Sequence, residues 1–173
     1  VTSGATLARG RSAVDPEVVI VGAGFGGLGT AIELNRLRID DLLILEREDD
    51  LGGTWHVNRY PGLAVDIASV TYSFSFEPNP YWSRLYAPGA ELKQYAGDVA
   101  DKYNLRRYMR FNAAVDGARF DEEQQYWVVT VNAGETITAR ASRRFRTITL
   151  TLSLRGIAAG CVLAFARGFA EFG

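Results

Sequence analysis

Three glycines and one glutamate in the first third of the chain have the types and spacing needed to hold a nucleotide. Gly22, Gly24 and Gly27 satisfy the pattern GxGxxG, in which the first glycine makes a tight turn, the second lets a pyrophosphate approach the backbone, and the third allows close helix–strand contact. Glu46 ends the next apolar run, where a carboxylate can accept both ribose hydroxyls of an adenosine. An acid at this position favours a free 2′-hydroxyl, and hence FAD or NAD over NADP; the alternative is that the glycines only make a turn.

The elements expected around these residues form a βαβ unit. The apolar run from Glu17 to Val21 predicts a strand buried on both faces, and apolar residues spaced by three and four from Phe25 onward predict a helix. Residues 41–46, DLLILE, predict a second buried strand. The order of strand, glycine turn, helix and strand predicts parallel strands with a right-handed crossover. The helix N-terminus would then present free N–H groups to the phosphates.

Downstream of this unit the sequence predicts one more helix and several short strands. Residues 70–76, VTYSFSF, alternate between aromatic and serine side chains, which predicts a strand. Residues 88–104 begin with proline and carry apolar residues at helical spacing. Three further runs are β-prone, and they are residues 109–112, 126–131 and 135–140. They predict a small antiparallel β-meander with a hairpin turn at residues 132–134, NAG, so the predicted fold class is α/β, a Rossmann-like βαβ module with an appended meander.

Residues 52–62, GGTWHVNRYPG, are dense in glycine, aromatic and polar residues. From Glu46 to Tyr72 the sequence resembles the flavin-contacting stretch of class B flavoprotein monooxygenases, the Baeyer–Villiger monooxygenases in particular, whose usual form is GGxWxxNRYPGxxxDxxSxxY. Every fixed position of that pattern is present, namely Gly52, Gly53, Trp55, Asn58, Arg59, Tyr60, Pro61, Gly62, Asp66, Ser69 and Tyr72. The resemblance extends to about Arg140 and implies an FAD-binding portion that is incomplete relative to the family.

The chemistry of these residue types suits a flavin. Gly53 permits backbone N–H groups to approach a carbonyl-rich ligand, and Trp55 offers a flat face and one N–H. The resemblance implies that Glu46 holds the ribose, that Asp66 and Tyr72 contact the flavin from the other side, and that the Val115 backbone touches the adenine. The cofactor-binding residues implied in this way are Gly22, Gly24, Gly26, Gly27, Glu46, Gly53, Thr54, Trp55, His56, Val57, Asp66, Tyr72 and Val115.

Two of these residues have simpler interpretations. Asp66, the candidate catalytic residue and a possible holder of a cation, could instead cap a helix or turn at residues 67–69. His56, the only histidine, could be a surface residue without a chemical role, and nothing in the sequence makes it a general base. The acidic run 46–50 is interpreted as a solvated turn apart from Glu46. The remaining aromatic residues are interpreted as core or hairpin packing, and they are Trp82, Phe120, Tyr126 and Trp127.

The resemblance also implies a reaction. In the family, NADPH reduces FAD, the reduced flavin takes up O2 as a C4a peroxide, and the peroxide attacks a ketone or a soft heteroatom. The NRYPG motif followed by Asp66 favours the ketone, and oxygenation of nitrogen or sulfur is the alternative. The sequence has one GxGxxG, with no second one for NADPH, so we expect this chain to be inactive alone. A non-catalytic dinucleotide-binding remnant is the alternative outside the enzyme class.

Composition narrows the partners. A formal net charge of −1 gives no electrostatic case for nucleic acid or an acidic membrane surface, so we predict a small-molecule partner. One cysteine and one histidine predict neither a disulfide framework nor a metal site, and they favour a reducing, cytoplasmic setting. The most apolar stretch, residues 157–166, is about half the roughly 20 residues needed to span a bilayer.

The expected organisation has three parts. Residues 1–15 are interpreted as a loose leader, residues 16–140 as the N-terminal part of an FAD-binding domain, and residues 141–173 as an atypical tail. Our hypothesis for the tail is a shift of reading frame near Ala141, because the resemblance ends there and arginine, alanine, glycine and leucine become dominant. A tail that adds a strand at residues 147–153 and one helix is the alternative. An unfinished sheet would expose an edge, which predicts marginal stability or self-association.

Overall fold

A computed structural model describes residues 16–140 of the chain. The first sheet has the strand order β1 (Val18–Val21), β2 (Leu42–Leu45), β3 (Met109–Arg110), and both pairings are parallel. Helix α1 (Phe25–Arg36) connects β1 to β2, which confirms the predicted βαβ unit. The leader and tail interpretations fall outside the described residues, and none of the helices in residues 16–140 has the length and apolarity to cross a membrane.

The parallel sheet lies between helices and a second sheet. On one face, the helix α3 (Gly89–Lys102) and α1 bury the alternate strand residues Val18, Ile20 and Ile44. On the other face lies an antiparallel sheet of β4 (Val115–Asp121), β5 (Tyr126–Val131) and β6 (Glu135–Arg140), whose inner side chains pack against Leu45. The predicted α/β class, with a Rossmann-like module and an antiparallel meander, is therefore confirmed.

The sequence predicted that residues 109–112 belong to the meander, and this prediction is wrong. Met109 pairs with Ile44 in parallel, so this run forms the third strand of the first sheet. The first strand of the meander is β4, which the sequence did not predict because most of its side chains are exposed. Its strand conformation depends on pairing with β5, and this partner cannot be seen in the local pattern.

The strand predicted at residues 70–76 is also wrong. Residues 69–71 form a single 3-10 turn, and Phe74 forms only an isolated bridge with Glu77. The aromatic rings of this segment pack on one another and on a helix: Phe74 stacks on Phe76 with centroids 5.1 Å apart, and its N–H donates to the Tyr95 hydroxyl at 2.8 Å. The Tyr95 hydroxyl on α3 therefore accepts the backbone N–H that would bond to a neighbouring strand if this segment were part of a sheet.

The outer edge of β1 is open in the described part of the chain. Among strands β1 to β6, only β2 pairs with β1, and Val21 at its end is 62% exposed. The sequence-based expectation of an unfinished sheet edge stays a prediction, because it concerns more of the chain than residues 16–140. Self-association along that edge stays a prediction.

Replacing Gly27 by alanine should strongly destabilise the protein. An added Cβ at Gly27 would lie 1.9 Å from the Gly22 carbonyl oxygen, so α1 would have to move away from the turn after β1. We expect Gly27→Ala to lower the free energy of unfolding by about 3 kcal/mol. Gly26→Ala is the matched control, because an added Cβ there meets nothing in residues 16–140 within 4 Å beyond its chain neighbours and the nearby backbone of its own helix, and alanine favours a helix. Equal urea midpoints for the two cofactor-free variants would contradict this packing.

The carboxylate of Glu77 should make part of the stability dependent on pH. Hydrogen bonds from Lys102 and then from the Tyr103 hydroxyl hold the pKa of Glu77 below its usual value near 4.5. Since the lowered pKa belongs to the folded state, this contribution is present above about pH 4.5 and is lost as the pH falls through the lower, folded value. Glu77→Gln should cost up to about 1 kcal/mol at pH 7, and the difference from wild type should shrink toward pH 3. Glu122→Gln, in the exposed turn after β4, is the control and should change the free energy of unfolding at pH 7 by less than about 0.5 kcal/mol in urea denaturation.

Candidate functional site

A cleft of about 610 Å3 opens at the carboxyl ends of β1 and β2. This is the edge at which parallel sheets bind ligands. Its walls come from the turn after β1, the loop after β2, the short helix α2 (Thr54–Val57) and the segment before β4. The lining residues are Val21, Gly22, Gly24, Leu45, Glu46, Arg47, Glu48, Gly53, Thr54, Val57, Asn58, Ala113, Ala114 and Val115.

The turn after β1 brings the N-terminus of α1 to the cleft. Gly22 has a φ of +91°, which a side chain would disfavour, and its N–H donates to the Leu45 carbonyl at 2.8 Å. Gly24 is the N-cap residue of α1, and none of residues 16–140 caps this helix with a side chain. Its first turn also carries no acidic residue, so the positive end of the helix is available to an anion.

A second glycine loop meets the first one. Gly53 has a φ of +54°, and a Cβ added to it would lie 3.1 Å from the Gly24 Cα. The Gly52 N–H donates to the Ala23 carbonyl at 3.0 Å. The two glycine loops therefore lie against each other at the floor of the cleft. A larger residue at either position would occupy this space.

Glu46 is buried in the cleft wall, with only 5% of its surface exposed. One carboxylate oxygen accepts the Ala23 N–H at 2.6 Å, and the other accepts the Glu48 N–H at 3.1 Å. These charge-assisted hydrogen bonds compensate the burial of the carboxylate and fix its orientation. Since each carboxylate oxygen can accept more than one hydrogen bond, the side chain can still accept two hydroxyl donors.

The segment before β4 is tied to Glu46 and to the meander. The Ala113 N–H donates to the Glu46 carbonyl at 2.8 Å. The Asn132 side chain in the predicted hairpin turn accepts the Ala114 N–H and donates to the Asn112 carbonyl, both at 2.9 Å. This segment therefore forms a fixed backbone wall that ends at Val115.

The one-turn helix α2 sends only some of its side chains into the cleft. Thr54 and Val57 line it, whereas the Trp55 ring turns away, and its Nε1–H donates to the Tyr72 hydroxyl at 3.1 Å. The two rings meet nearly perpendicularly, at 85° and 5.5 Å between centroids. Flavin contact by Trp55 and Tyr72, which do not line the cleft of this structure, stays a prediction.

His56 also turns away from the cleft, on the other flank of α2. It is 4% exposed, so the surface interpretation is wrong, and its Nε2 lies 2.7 Å from the Asp49 carboxylate. The hydrogen bond from His56 holds the pKa of Asp49 below its usual value. Asp50 bonds to Lys93 on α3 at 2.8 Å. Burial raises the pKa of Asp50, but the hydrogen bonds from Lys93 and from the Leu51 N–H, together with the charges of Lys93 and Arg106, outweigh it and hold this pKa below its usual value. The acidic run is thus not simply solvated.

Asp66 lies outside the cleft. It is exposed, and its carboxylate forms no hydrogen bond or ion pair with residues 16–140. The 3-10 turn at residues 69–71 has Ala68 at its N-cap and no side-chain cap from the described residues, so the capping interpretation of Asp66 is wrong. Its catalytic role stays a prediction. Of the predicted glycines, Gly26 and Gly27 do not line the cleft either, since Gly27 packs behind it on Gly22.

The structure brings some of the predicted site residues together in the cleft, namely Gly22, Gly24, Glu46, Gly53, Thr54, Val57 and Val115. Sequence reasoning missed other lining residues, namely Arg47, Glu48, Asn58, Ala113 and Ala114. Asn58 could have been predicted as a lining residue, because it belongs to the NRYPG motif. Ala113 and Ala114 follow the third parallel strand, and they would have been found if residues 109–112 had been assigned to the sheet that carries the cleft.

Comparison with known proteins places this geometry in context. Residues 20–88 match a family model described as an NAD(P)-binding Rossmann-like domain. A Baeyer–Villiger monooxygenase of Streptomyces coelicolor is 44% identical over 122 residues, which cover 70% of this chain and 23% of that protein. One of Pseudomonas aeruginosa is 42% identical, over 72% of this chain and 24% of that protein. A crystal structure of OTEMO in complex with FAD and NADP superposes with a TM-score of 0.67 at 32% identity, over 74% of this chain and 25% of that one. The chain thus spans about a quarter of the length of the relatives that it matches.

Replacing Glu46 by glutamine should destabilise the cofactor-free protein. An amide offers one acceptor oxygen where the carboxylate offers two, so either the Ala23 or the Glu48 N–H would face an NH2 group. A buried donor left without a partner costs about 1–3 kcal/mol, and we expect Glu46→Gln to lower the free energy of unfolding by that amount. Glu48→Gln is the matched control, because its side chain is 35% exposed and bonds only to the neighbouring Arg47 among residues 16–140; it should change the value by less than about 0.5 kcal/mol. Equal losses in urea denaturation would contradict a structural role for the Glu46 carboxylate.

Proposed function

We propose that this chain forms an FAD site, because it is similar in sequence to two Baeyer–Villiger monooxygenases and in structure to OTEMO in complex with FAD and NADP. The proposal rests above all on the buried Glu46 carboxylate, which two N–H groups orient at the edge of the cleft. Such an acceptor suits the hydroxyls of a ribose. A bound FAD, reduced by NADPH, would supply the oxygenating chemistry of the whole protein.

The cleft accounts for each part of the adenosine diphosphate half. The N-terminus of α1 and the backbone at Gly24 would bind the diphosphate, because both offer N–H donors where no side chain intervenes. Glu46 would bind the ribose. The backbone wall that ends at Val115 would contact the adenine. Every one of these groups is already fixed by hydrogen bonds or close packing within the fold, so binding would require little reordering.

The flavin half would extend toward α2. Gly53 supplies the backbone at the floor of the cleft, and Thr54, Val57 and Asn58 line the adjoining wall. The Thr54 hydroxyl would donate a hydrogen bond to a ring carbonyl, and Val57 would exclude water. Asp66 and Tyr72 would approach the flavin from outside the described cleft, as the family resemblance implies.

For the reaction, we propose Baeyer–Villiger oxidation of a ketone in preference to oxygenation of nitrogen or sulfur. The support is the name shared by the two relatives above and the complete NRYPG motif followed by Asp66. An assay of the whole protein with FAD, NADPH and O2 separates the two, because a ketone gives an ester or lactone and a sulfide gives a sulfoxide. We also propose a cytoplasmic location.

The proposed site predicts selective binding of FAD. Titration of the purified chain, followed by flavin fluorescence, should show FAD binding that ADP displaces, and FMN should bind more weakly because it lacks the adenosine half. NADP should displace FAD poorly, since its 2′-phosphate would meet the Glu46 carboxylate. Glu46→Gln should weaken FAD binding about tenfold. Glu33→Gln, at an exposed ion pair on α1, is the control and should bind like wild type. FMN binding as tightly as FAD, with no effect of the Glu46 substitution, would overturn the proposal.

A further inference from the structure

The short helix α2 needs support from outside itself. It has a single turn of four residues, and an isolated turn of this length is not stable in water. It nevertheless supplies Thr54 and Val57 to the cleft wall. The position of this wall therefore depends on the contacts that α2 makes on its other sides.

His56 makes two of these contacts, one through each ring nitrogen. Nε2 lies 2.7 Å from an Asp49 carboxylate oxygen, and Nδ1 lies 3.4 Å from Nη2 of Arg59. A guanidinium only donates hydrogen bonds, so Nδ1 is the acceptor and Nε2 carries the proton that Asp49 accepts. Arg59 Nε also donates to the His56 carbonyl at 3.0 Å, which fixes the end of α2 from the backbone side.

Asp49 lies on the same loop as the carboxylate proposed to bind the ribose. Glu46 accepts the Glu48 N–H, and the Asn112 N–H donates to the Glu48 carbonyl at 2.9 Å. The loop is thus held on both sides immediately before Asp49. A bond from Asp49 to His56 therefore connects the adenosine side of the cleft directly to the flavin side.

We propose that Asp49, His56 and Arg59 form a clasp that positions α2 against the cleft, with His56 as a positioning residue for FAD. This inference rests on the proposed FAD site and deepens it. His56 does not touch the cofactor in this scheme. It sets the distance between the Glu46 loop and the wall formed by Thr54 and Val57, so that both halves of one dinucleotide can bind at once.

Asp50 shows what a purely structural contact of the same loop looks like. Its carboxylate accepts the Leu51 N–H at 2.8 Å and bonds to Lys93 of α3, and Arg106 lies 3.6 Å away. It therefore attaches the loop to α3 and makes no bond to α2. Asp50→Asn is the matched control for Asp49→Asn, because the same change is made one residue along the chain.

The test measures FAD affinity and thermal unfolding of the cofactor-free chain separately. His56→Phe keeps a buried ring and removes both ring nitrogens, and Asp49→Asn weakens the acceptor. Each should raise the Kd for FAD about fivefold relative to wild type. Because both changes break the same contact, the double variant should raise that Kd by no more than about tenfold. His56→Gln retains an N–H donor and should restore most of the affinity. Asp50→Asn should lower the unfolding temperature and change the Kd by less than about twofold.

The outcomes separate this inference from the FAD site itself. If the wild-type chain does not bind FAD, the proposed function fails. If wild type binds FAD and both His56→Phe and Asp49→Asn bind it equally well, the clasp has no positioning role and the inference is overturned. Should His56→Phe fail to fold, Asp49→Asn decides the question alone, since the Asp49 side chain is 75% exposed and its replacement leaves the core unchanged. Strictly additive losses in the double variant would also overturn the inference.

Discussion

A buried carboxylate must be fully partnered, and in this protein that requirement organises the cleft. The side chain of Glu46 accepts N–H groups from the turn after β1 and from its own loop, at Ala23 and Glu48. Its backbone N–H donates to the Arg110 carbonyl at 2.9 Å, and its carbonyl accepts the Ala113 N–H. One residue therefore connects β1, β2 and the segment after β3. An unpaired charge at this depth would cost several kcal/mol, so these segments are held in one arrangement.

The glycines also hold the segments around the cleft in one arrangement. They do so because the absence of side chains lets these segments pack closely, not because they add hydrogen bonds. Gly27 allows α1 to begin directly against the Gly22 carbonyl, and Gly53 allows the second loop to lie on Gly24. The free N–H groups of α1 can then point into a cleft whose floor is backbone. Polar donors, a fixed acceptor and the absence of large side chains together suit the FAD that we propose for this cleft.

The βαβ unit could be predicted because its signals are local. The period of the apolar residues, the position of the glycines and the terminal acid all act within one unit, and α1 begins at Phe25 as expected. Residues 70–76 and 109–112 were misassigned because their conformation depends on distant partners, the Tyr95 hydroxyl in one case and Ile44 of β2 in the other. The same limit applies to the site. Glu46 could be predicted from its position at the end of the second strand, whereas the hydrogen bond between Asp49 and His56 could not, because it depends on how two loops fold back on each other.

The most conspicuous side chains of GGTWHVNRYPG do not face the cleft. Trp55 and His56 anchor the two flanks of α2, and Arg59 bonds to the His56 carbonyl, whereas the cleft receives glycine backbone and the smaller residues Thr54 and Val57. This division suits the proposed FAD, because glycine backbone and small side chains leave the space that a flat cofactor would occupy. The large side chains of Trp55, His56 and Arg59 lie behind the cleft wall, where their packing and hydrogen bonds hold α2 in place. A dense motif of this kind therefore specifies the support of a site as much as its surface.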